Sequence, residues 1–199
     1  MAANIIHHKF SDYLVQRWKN GGGKTTEIAK RLDAEAGADF IWRLSIAEIK
    51  QNGPFSVFPR IDRTLMLISG EGIELTFGDD GITHRIDDLY SCLTFDGGLP
   101  AICKLIDGET TDFNIMTRQG VVTHDVDLLK NINGRQCIIT HQETMLVFCL
   151  KGEVVLEAGA KRFSLTEYDM VEINSEEAEQ IFLCPNVSAV CAIIHIKNI

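Results

Sequence analysis

Proline is scarce in this 199-residue chain, with four in all, and long apolar runs are missing. The runs at 146–150 and 187–196 fall far below the roughly 20 residues that a membrane-spanning helix needs. Cations are in the minority: 19 Lys and Arg stand against 28 Asp and Glu, for a net charge of −9. Phosphate-backbone binding needs clustered cations, so nucleic acid is excluded as the main partner. A membrane is excluded as well. No CxxC pair occurs among the six cysteines, Cys92, Cys103, Cys137, Cys149, Cys184 and Cys191. A structural zinc site therefore has no support, and a disulfide-stapled scaffold is shorter and denser in cysteine. Six buried, reduced thiols are expected. The opening Met-Ala-Ala-Asn-Ile-Ile-His-His-Lys lacks the apolar core of about 7–15 residues that marks a signal peptide. The cytoplasm is the expected location.

What is present is 45% apolar and 24% charged residues, the balance of a folded chain rather than a disordered one. The length allows one domain or two small fused ones, and it suffices to bury a core. Sixteen glycines fall between short apolar stretches, which is the punctuation of β-structure. Residues 41–49 alternate: Trp42, Leu44 and Ile46 share one face, and Arg43, Ser45 and Ala47 share the other. Further strands are expected at 64–69, 73–77, 82–86, 101–105, 113–117, 137–140, 145–150, 154–157, 161–165, 170–173, 180–183 and 189–196. One helix is expected, around 25–35. Many short strands, tight turns and almost no helix argue for an all-β sandwich or barrel.

The chain also repeats itself. The first half carries Ile68-Ser69-Gly70-Glu71 and later Ile86-Asp87-Asp88-Leu89-Tyr90. The second half carries Leu150-Lys151-Gly152-Glu153 and later Leu165-Thr166-Glu167-Tyr168. Each unit reads as strand, Gly-Glu turn, strand, hairpin, strand, then an acidic turn, as in a small jelly roll. Two fused jelly-roll barrels follow, divided at 1–118 and 119–199, with termini free to exchange strands.

Three segments carry candidate chemistry. In the first, Trp18-Lys19-Asn20-Gly21-Gly22-Gly23-Lys24-Thr25, the spacing denies a phosphate loop. The required first glycine is Trp18. Gly21, Gly22 and Gly23 make a tight loop that brings backbone N–H groups near any ligand, with Trp18 as an apolar wall, Asn20 as an amide and Glu27 as a carboxylate. In the second, Arg43 and Arg63 stand within or beside apolar strand patterns. A buried Arg must be paired or must bind an anion. Asp62, Glu27 and Asp112 are the internal partners on offer, and a bidentate hold on a ligand carboxylate is the alternative. In the third, Asn114 stands among apolar neighbours with Asp112 and Met116 on its face. It caps backbone or reads a polar ligand.

These segments resemble the HutD/Ves family. The resemblance rests on Trp18 through Gly23 with Thr26-Glu27-Ile28, on Trp42-Arg43-Leu44-Ser45-Ile46-Ala47, on Gly53-Pro54-Phe55-Ser56-Val57-Phe58-Pro59 with Asp62-Arg63, and on Asp112-Phe113-Asn114-Ile115-Met116. It is strong over roughly 10–118 and weak beyond. It implies a bicupin, two fused β-barrels, with a link to histidine utilisation or stress response and a ligand such as formylglutamate. One departure is Arg60, where the family commonly has Gly after Pro59. Cupins often bind a metal through His-x-His, Glu and a later His. Here Phe55 and Phe58 stand in the two His places, and aromatic rings do not ligate divalent metals. His141-Gln142-Glu143 in the second half is a lone His with one carboxylate, so neither a metal nor another cofactor is expected.

A small-molecule-binding protein is the leading expectation. Its pocket would hold Trp18, Asn20, Glu27, Arg43, Arg63 and Asn114, suited to an anionic or zwitterionic metabolite. A metal-independent isomerase or hydrolase using Glu27 or Asp112, or a regulatory protein-interaction module, are the alternatives. Exposed edge strands admit a homodimer.

Overall fold

The computed structural model describes residues 4–33, 40–78, 81–132, 134–140, 144–174, 180–185 and 188–199. Among them, nineteen strands and a single 3-10 turn (Phe10–Asp12) make an all-β chain with almost no helix. The strands are β1 (Asn4–His8), β2 (Leu14–Arg17), β3 (Gly23–Leu32), β4 (Phe40–Ile49), β5 (Gly53–Pro54) and β6 (Ile61–Ser69). There follow β7 (Ile73–Phe77), β8 (Ile82–Ile86), β9 (Cys92–Asp96), β10 (Ala101–Leu105), β11 (Thr110–Arg118), β12 (Val122–Ile132) and β13 (Gln136–Ile139). The last are β14 (Thr144–Lys151), β15 (Val154–Ala158), β16 (Lys161–Leu165), β17 (Met170–Asn174), β18 (Gln180–Pro185) and β19 (Ala189–Asn198).

The chain divides into two units: Leu14–Val122, and Met1–Tyr13 together with Thr123–Ile199. The first unit has a six-stranded sheet in the order β2-β3-β4-β11-β6-β9 and a four-stranded sheet in the order β5-β10-β7-β8. Side chains from both sheets meet in one core that includes Ile49, Leu65, Leu67, Ile73, Leu75, Ile86 and Cys103. The second unit has a five-stranded sheet, β1-β17-β14-β19-β12, and a four-stranded sheet, β13-β18-β15-β16. Its core draws on both sheets too, with Met145, Val147, Cys149, Leu156, Leu165, Val171, Leu183, Cys191 and Ile193 among its members. Each unit is thus two sheets facing across an apolar interior, and among the described residues no sheet closes on itself into a barrel.

The expected helix at 25–35 is a correction: residues 23–32 form β3. Thr25, Thr26 and Ile28 are β-branched and suit a pleated surface, and β3 is hydrogen-bonded on both sides, to β2 and β4. A bulge between Glu27 and Ala29 breaks the period-2 alternation, which is why the pattern did not read as a strand. Residues 34 and 35 lie outside the described residues. The thiols are a second correction. Cys103, Cys149 and Cys191 are buried, but Cys92 and Cys137 are exposed and Cys184 is intermediate. Cys92 and Cys137 sit in short strands of alternating or mostly open exposure.

Candidate functional site

β4, β11 and β6 lie side by side, and their register sets side chains in rows. Arg43, Met116 and Arg63 are directly opposed across the three strands; Ser45, Asn114 and Leu65 form the next row, and Ala47, Asp112 and Leu67 the third. Opposed residues on neighbouring strands share a face, so a polar band crosses the sheet and gives way to the apolar core beyond. The opening of this band is a cavity of about 380 Å³ within the unit Leu14–Val122. Trp18, Asn20, Arg43, Arg63 and Asn114 all line it, with Phe55 and Phe58 from the segment before β6.

The Trp18–Gly23 loop is the turn that joins β2 to β3. Trp18 donates its backbone N–H to the Gly23 carbonyl at 3.0 Å, and Gly21 donates back to the Trp18 carbonyl at 3.1 Å. The indole Nε1 donates to Thr25 Oγ1 at 2.8 Å, which pins the ring as a wall. Gly23 is required for close approach: an added Cβ would lie 2.1 Å from the Glu48 carbonyl and 3.1 Å from the Trp18 ring. The glycines themselves are not among the lining residues. The N–H groups of Gly21 and Gly22 are spent inside the loop, the latter on Asn20 Oδ1 at 3.0 Å.

Arg63 is 6% exposed. Its Nε and Nη2 both donate to Asn114 Oδ1. Asn114 Nδ2 donates in turn to Asp112 Oδ1. The amide of Asn114 is held at both ends and acts as a bridge, with its carbonyl committed to Arg63. Three phenyl rings surround the guanidinium, those of Phe55 at 4.8 Å, Phe95 at 5.5 Å and Phe58 at 5.8 Å, an arrangement that stabilises a cation out of water. Burial still draws the Arg63 guanidinium down to about 10, with Arg43 adding and Asp112 opposing. Complete burial pushes the Asp112 carboxyl up to about 7 against the pull of Arg63 and the Asn114 N–H.

Arg43 is paired differently. Its Nε donates to Glu27 Oε2 at 2.9 Å, and Lys30 meets Glu27 Oε1 at 2.9 Å. Burial raises the Glu27 carboxyl, but the bonds from Lys30 and Arg43 outweigh it and hold it below its ordinary value. Glu27 lies behind Arg43 and is not among the lining residues. Asp62, a partner on offer to the arginines, accepts from Gln119 instead. Sequence reasoning missed Phe95, although Leu93 and Phe95 alternate with polar residues along β9, and the lining residues Lys19, Ser45 and Ser56. Phe55 and Phe58 were visible in the motif at 53–59 and as residues in place of histidine, not as pocket residues.

Among the described residues no group of three His, Cys, Asp or Glu is placed to hold a metal ion. Three histidines stand beside carboxylates: His8 by Glu172 at 3.1 Å, His7 by Asp169 at 3.9 Å and His195 by Asp127 at 3.7 Å. His141 and Glu143 lie outside the described residues. No helix among the described residues is long and apolar enough to cross a membrane.

The molecule is therefore an all-β chain of two related two-sheet units, one of which keeps a polar cavity with a buried arginine. The HutD family model matches residues 10–192, and the chain belongs to that family. It is 32% identical to an uncharacterised 21.2 kDa protein in the hutC 3′ region of Pseudomonas putida, over 83% of this chain and 85% of that one. It is 38% identical to Protein Ves of Cronobacter sakazakii over 53% of this chain and 56% of the relative. The structure of HutD from Pseudomonas fluorescens, solved in a formate condition, aligns with a TM-score of 0.82 at 28% identity, covering 98% of this chain and 100% of that one. Oxalate decarboxylase from Lactobacillus farciminis aligns with a TM-score of 0.68 at 9% identity, over 96% of this chain and 85% of its own. That likeness speaks to a cupin-like fold alone.

Proposed function

We propose that this chain is a metal-independent binding protein whose cavity in the unit Leu14–Val122 takes a small carboxylated metabolite, with N-formyl-L-glutamate as the first ligand to try. The observation that carries the reading is Arg63. Asn114 occupies only Nε and Nη2, the guanidinium lines the cavity, and no carboxylate makes an ion pair with it among the described residues. A buried cation without a direct counter-charge is a ready anion site. Arg43 lies two strands away, across Met116 of β11, and adds positive charge, while Trp18, Asn20 and the phenyl rings give an apolar wall and an amide. The volume suits a small metabolite.

The two units are read as a bicupin pair in which one interior binds and the other is structural. The hutC-region name of the Pseudomonas putida relative supports a sensor or regulator of histidine utilisation. Calorimetry with N-formyl-L-glutamate tests the reading. Arg63→Ala is expected to weaken binding by about 100-fold or more, the scale of a lost charge-assisted pair. Arg43→Ala is expected to lose less, about tenfold, because Glu27 already takes up part of its charge. Unchanged affinity in both variants overturns the reading.

A further inference from the structure

Asp112 is a buried titratable group beside this site that anion binding alone does not use. It is fully buried, with 0% exposure. Its Oδ1 accepts from Asn114, and its Oδ2 is buried without a hydrogen-bond partner. The carboxylate does not line the cavity. It reaches the cavity through Asn114, whose amide joins Asp112 to Arg63. Around it stand Arg63 from β6 and the Cys103 thiol from β10, which burial and Asp112 push up to about 12. Arg43 from β4, with Glu27 and Lys30 of β3 behind it, acts on Arg63 from the far side.

In the empty site Arg63 and Asp112 balance one another through the amide. A ligand carboxylate at Arg63 adds a second negative charge to the same water-poor interior, where charges act strongly on one another. It also takes over the guanidinium as its own counter-charge. Asp112 is then left buried, with one oxygen unsolvated and less compensation from Arg63. The unpartnered Oδ2 can take a proton without giving up a hydrogen bond.

We propose that the cavity binds its carboxylate together with one proton, which is held on Asp112. This rests on the anion reading and deepens it: the ligand is an acid taken up as anion plus proton, and the affinity of the site is set by pH. The direction follows from linkage. Below the midpoint of Asp112 in the empty protein the proton is already present, so affinity is flat. Above it each binding event must draw a proton from solution, and Kd rises by up to about tenfold per pH unit. At still higher pH, where Asp112 is ionised even in the complex, the affinity levels off at its weaker value.

The test is calorimetry of the wild-type chain with N-formyl-L-glutamate between pH 5.5 and 8.5, whose carboxylates are already ionised throughout. Each pH is run in two buffers of different ionisation enthalpy. The expected result is close to one proton taken up per ligand at pH 8, almost none at pH 5.5, and an affinity that falls in between. Asp112→Asn keeps the amide partner for Asn114, and is expected to bind with an affinity independent of pH and of buffer. No histidine lines the cavity to supply the same signal. Binding without proton uptake, or an Asp112→Asn variant with the wild-type pH slope, overturns the proton proposal while leaving the anion reading standing. Failure of wild type to bind N-formyl-L-glutamate, formate and acetate alike overturns the anion reading, and the proton proposal with it.

Discussion

Tyr90 and Tyr168 occupy the same place in the two halves of the chain. Both adopt left-handed backbone, at φ 68° and 69°, and their N–H groups donate to the carbonyls of Leu67 at 2.8 Å and Cys149 at 2.7 Å. The reciprocal bonds match as well, from Leu67 to Ser91 and from Cys149 to Asp169. Leu67 is opposed to Asp112 on the neighbouring strand, and Cys149 is opposed to Cys191. Aligned on these residues, Arg63 corresponds to Met145, Asn114 to Ile193 and Asp112 to Cys191. The second unit fills these positions with core side chains. The first keeps a charged bridge in the same place, against the general preference for an apolar interior.

That contrast predicts a non-additive stability effect. Arg63→Met installs the residue of the other unit but strands Asp112, so it is expected to destabilise by about 3–5 kcal/mol at pH 8, the cost of an uncompensated buried charge. Adding Asp112→Asn removes the stranded charge and is expected to restore most of the loss. Urea unfolding of both single variants and the double variant measures the coupling. Simple additivity would show that Arg63 and Asp112 do not act on each other.

Asp112 also predicts a pH dependence of stability in the empty protein. Its folded midpoint, about 7, lies above the ordinary 3.8, so the protonated form is favoured by folding. Its favourable contribution is full below about pH 4 and declines as pH rises toward 7, with no further change above. Wild type relative to Asp112→Asn is therefore expected to lose on the order of 2–4 kcal/mol between pH 4 and pH 7.5. Paired urea titrations at several pH values read this out, and a difference that is constant with pH contradicts it.

Most of the second half of the chain was legible in sequence, because apolar strands such as Thr144–Lys151 and Val154–Ala158 are set off by glycine turns such as the one at Gly152. The repeat was legible for the same reason. Several of the strands that escaped have a broken or polar pattern. β3 carries a bulge, β2 is exposed along its whole length, and β12 opens on Val-Thr-His-Asp-Val-Asp, where polar residues outnumber apolar ones. At the cavity, the residue types could be named from the sequence, but not their partners. Arg63 and Asn114 are 51 positions apart, and only the register of β6 on β11 sets them side by side. Glu27 shared the signal of the lining residues, yet its carboxylate is turned to Arg43 and Lys30.

The glycine loop separates two kinds of requirement. Gly21 has φ +73° and nothing within 4 Å of an added Cβ, whereas at Gly23 the Cβ would strike the Glu48 carbonyl at 2.1 Å. Gly21→Asn is therefore expected to cost less than about 1 kcal/mol, since Asn tolerates left-handed backbone. Gly23→Ala must push β3 from β4 or displace Trp18, and is expected to cost about 1–3 kcal/mol or more. Thermal unfolding ranks the two, and Trp fluorescence should shift only in Gly23→Ala. Equal costs would argue that backbone angle alone governs the loop.

Arg60 offers the opposite case, a residue placed where glycine fits better. It adopts φ +61° in the turn that enters β6, directly after Pro59. Its carbonyl accepts from the Gln119 N–H at 3.0 Å, and that bond ties the turn to the end of β11. An arginine in left-handed backbone carries strain of about 1–2 kcal/mol from its Cβ, and the side chain is exposed, so little packing offsets it. Arg60→Gly relieves the strain but frees the unfolded chain. The net expectation is a gain of up to about 1 kcal/mol, or a few degrees in Tm for a chain of this size. Arg60→Val, β-branched and unable to adopt this backbone cheaply, should lose stability. A thermal melt of the three chains decides the matter: an order other than Gly above Arg above Val would mean that the turn is not held in the left-handed form.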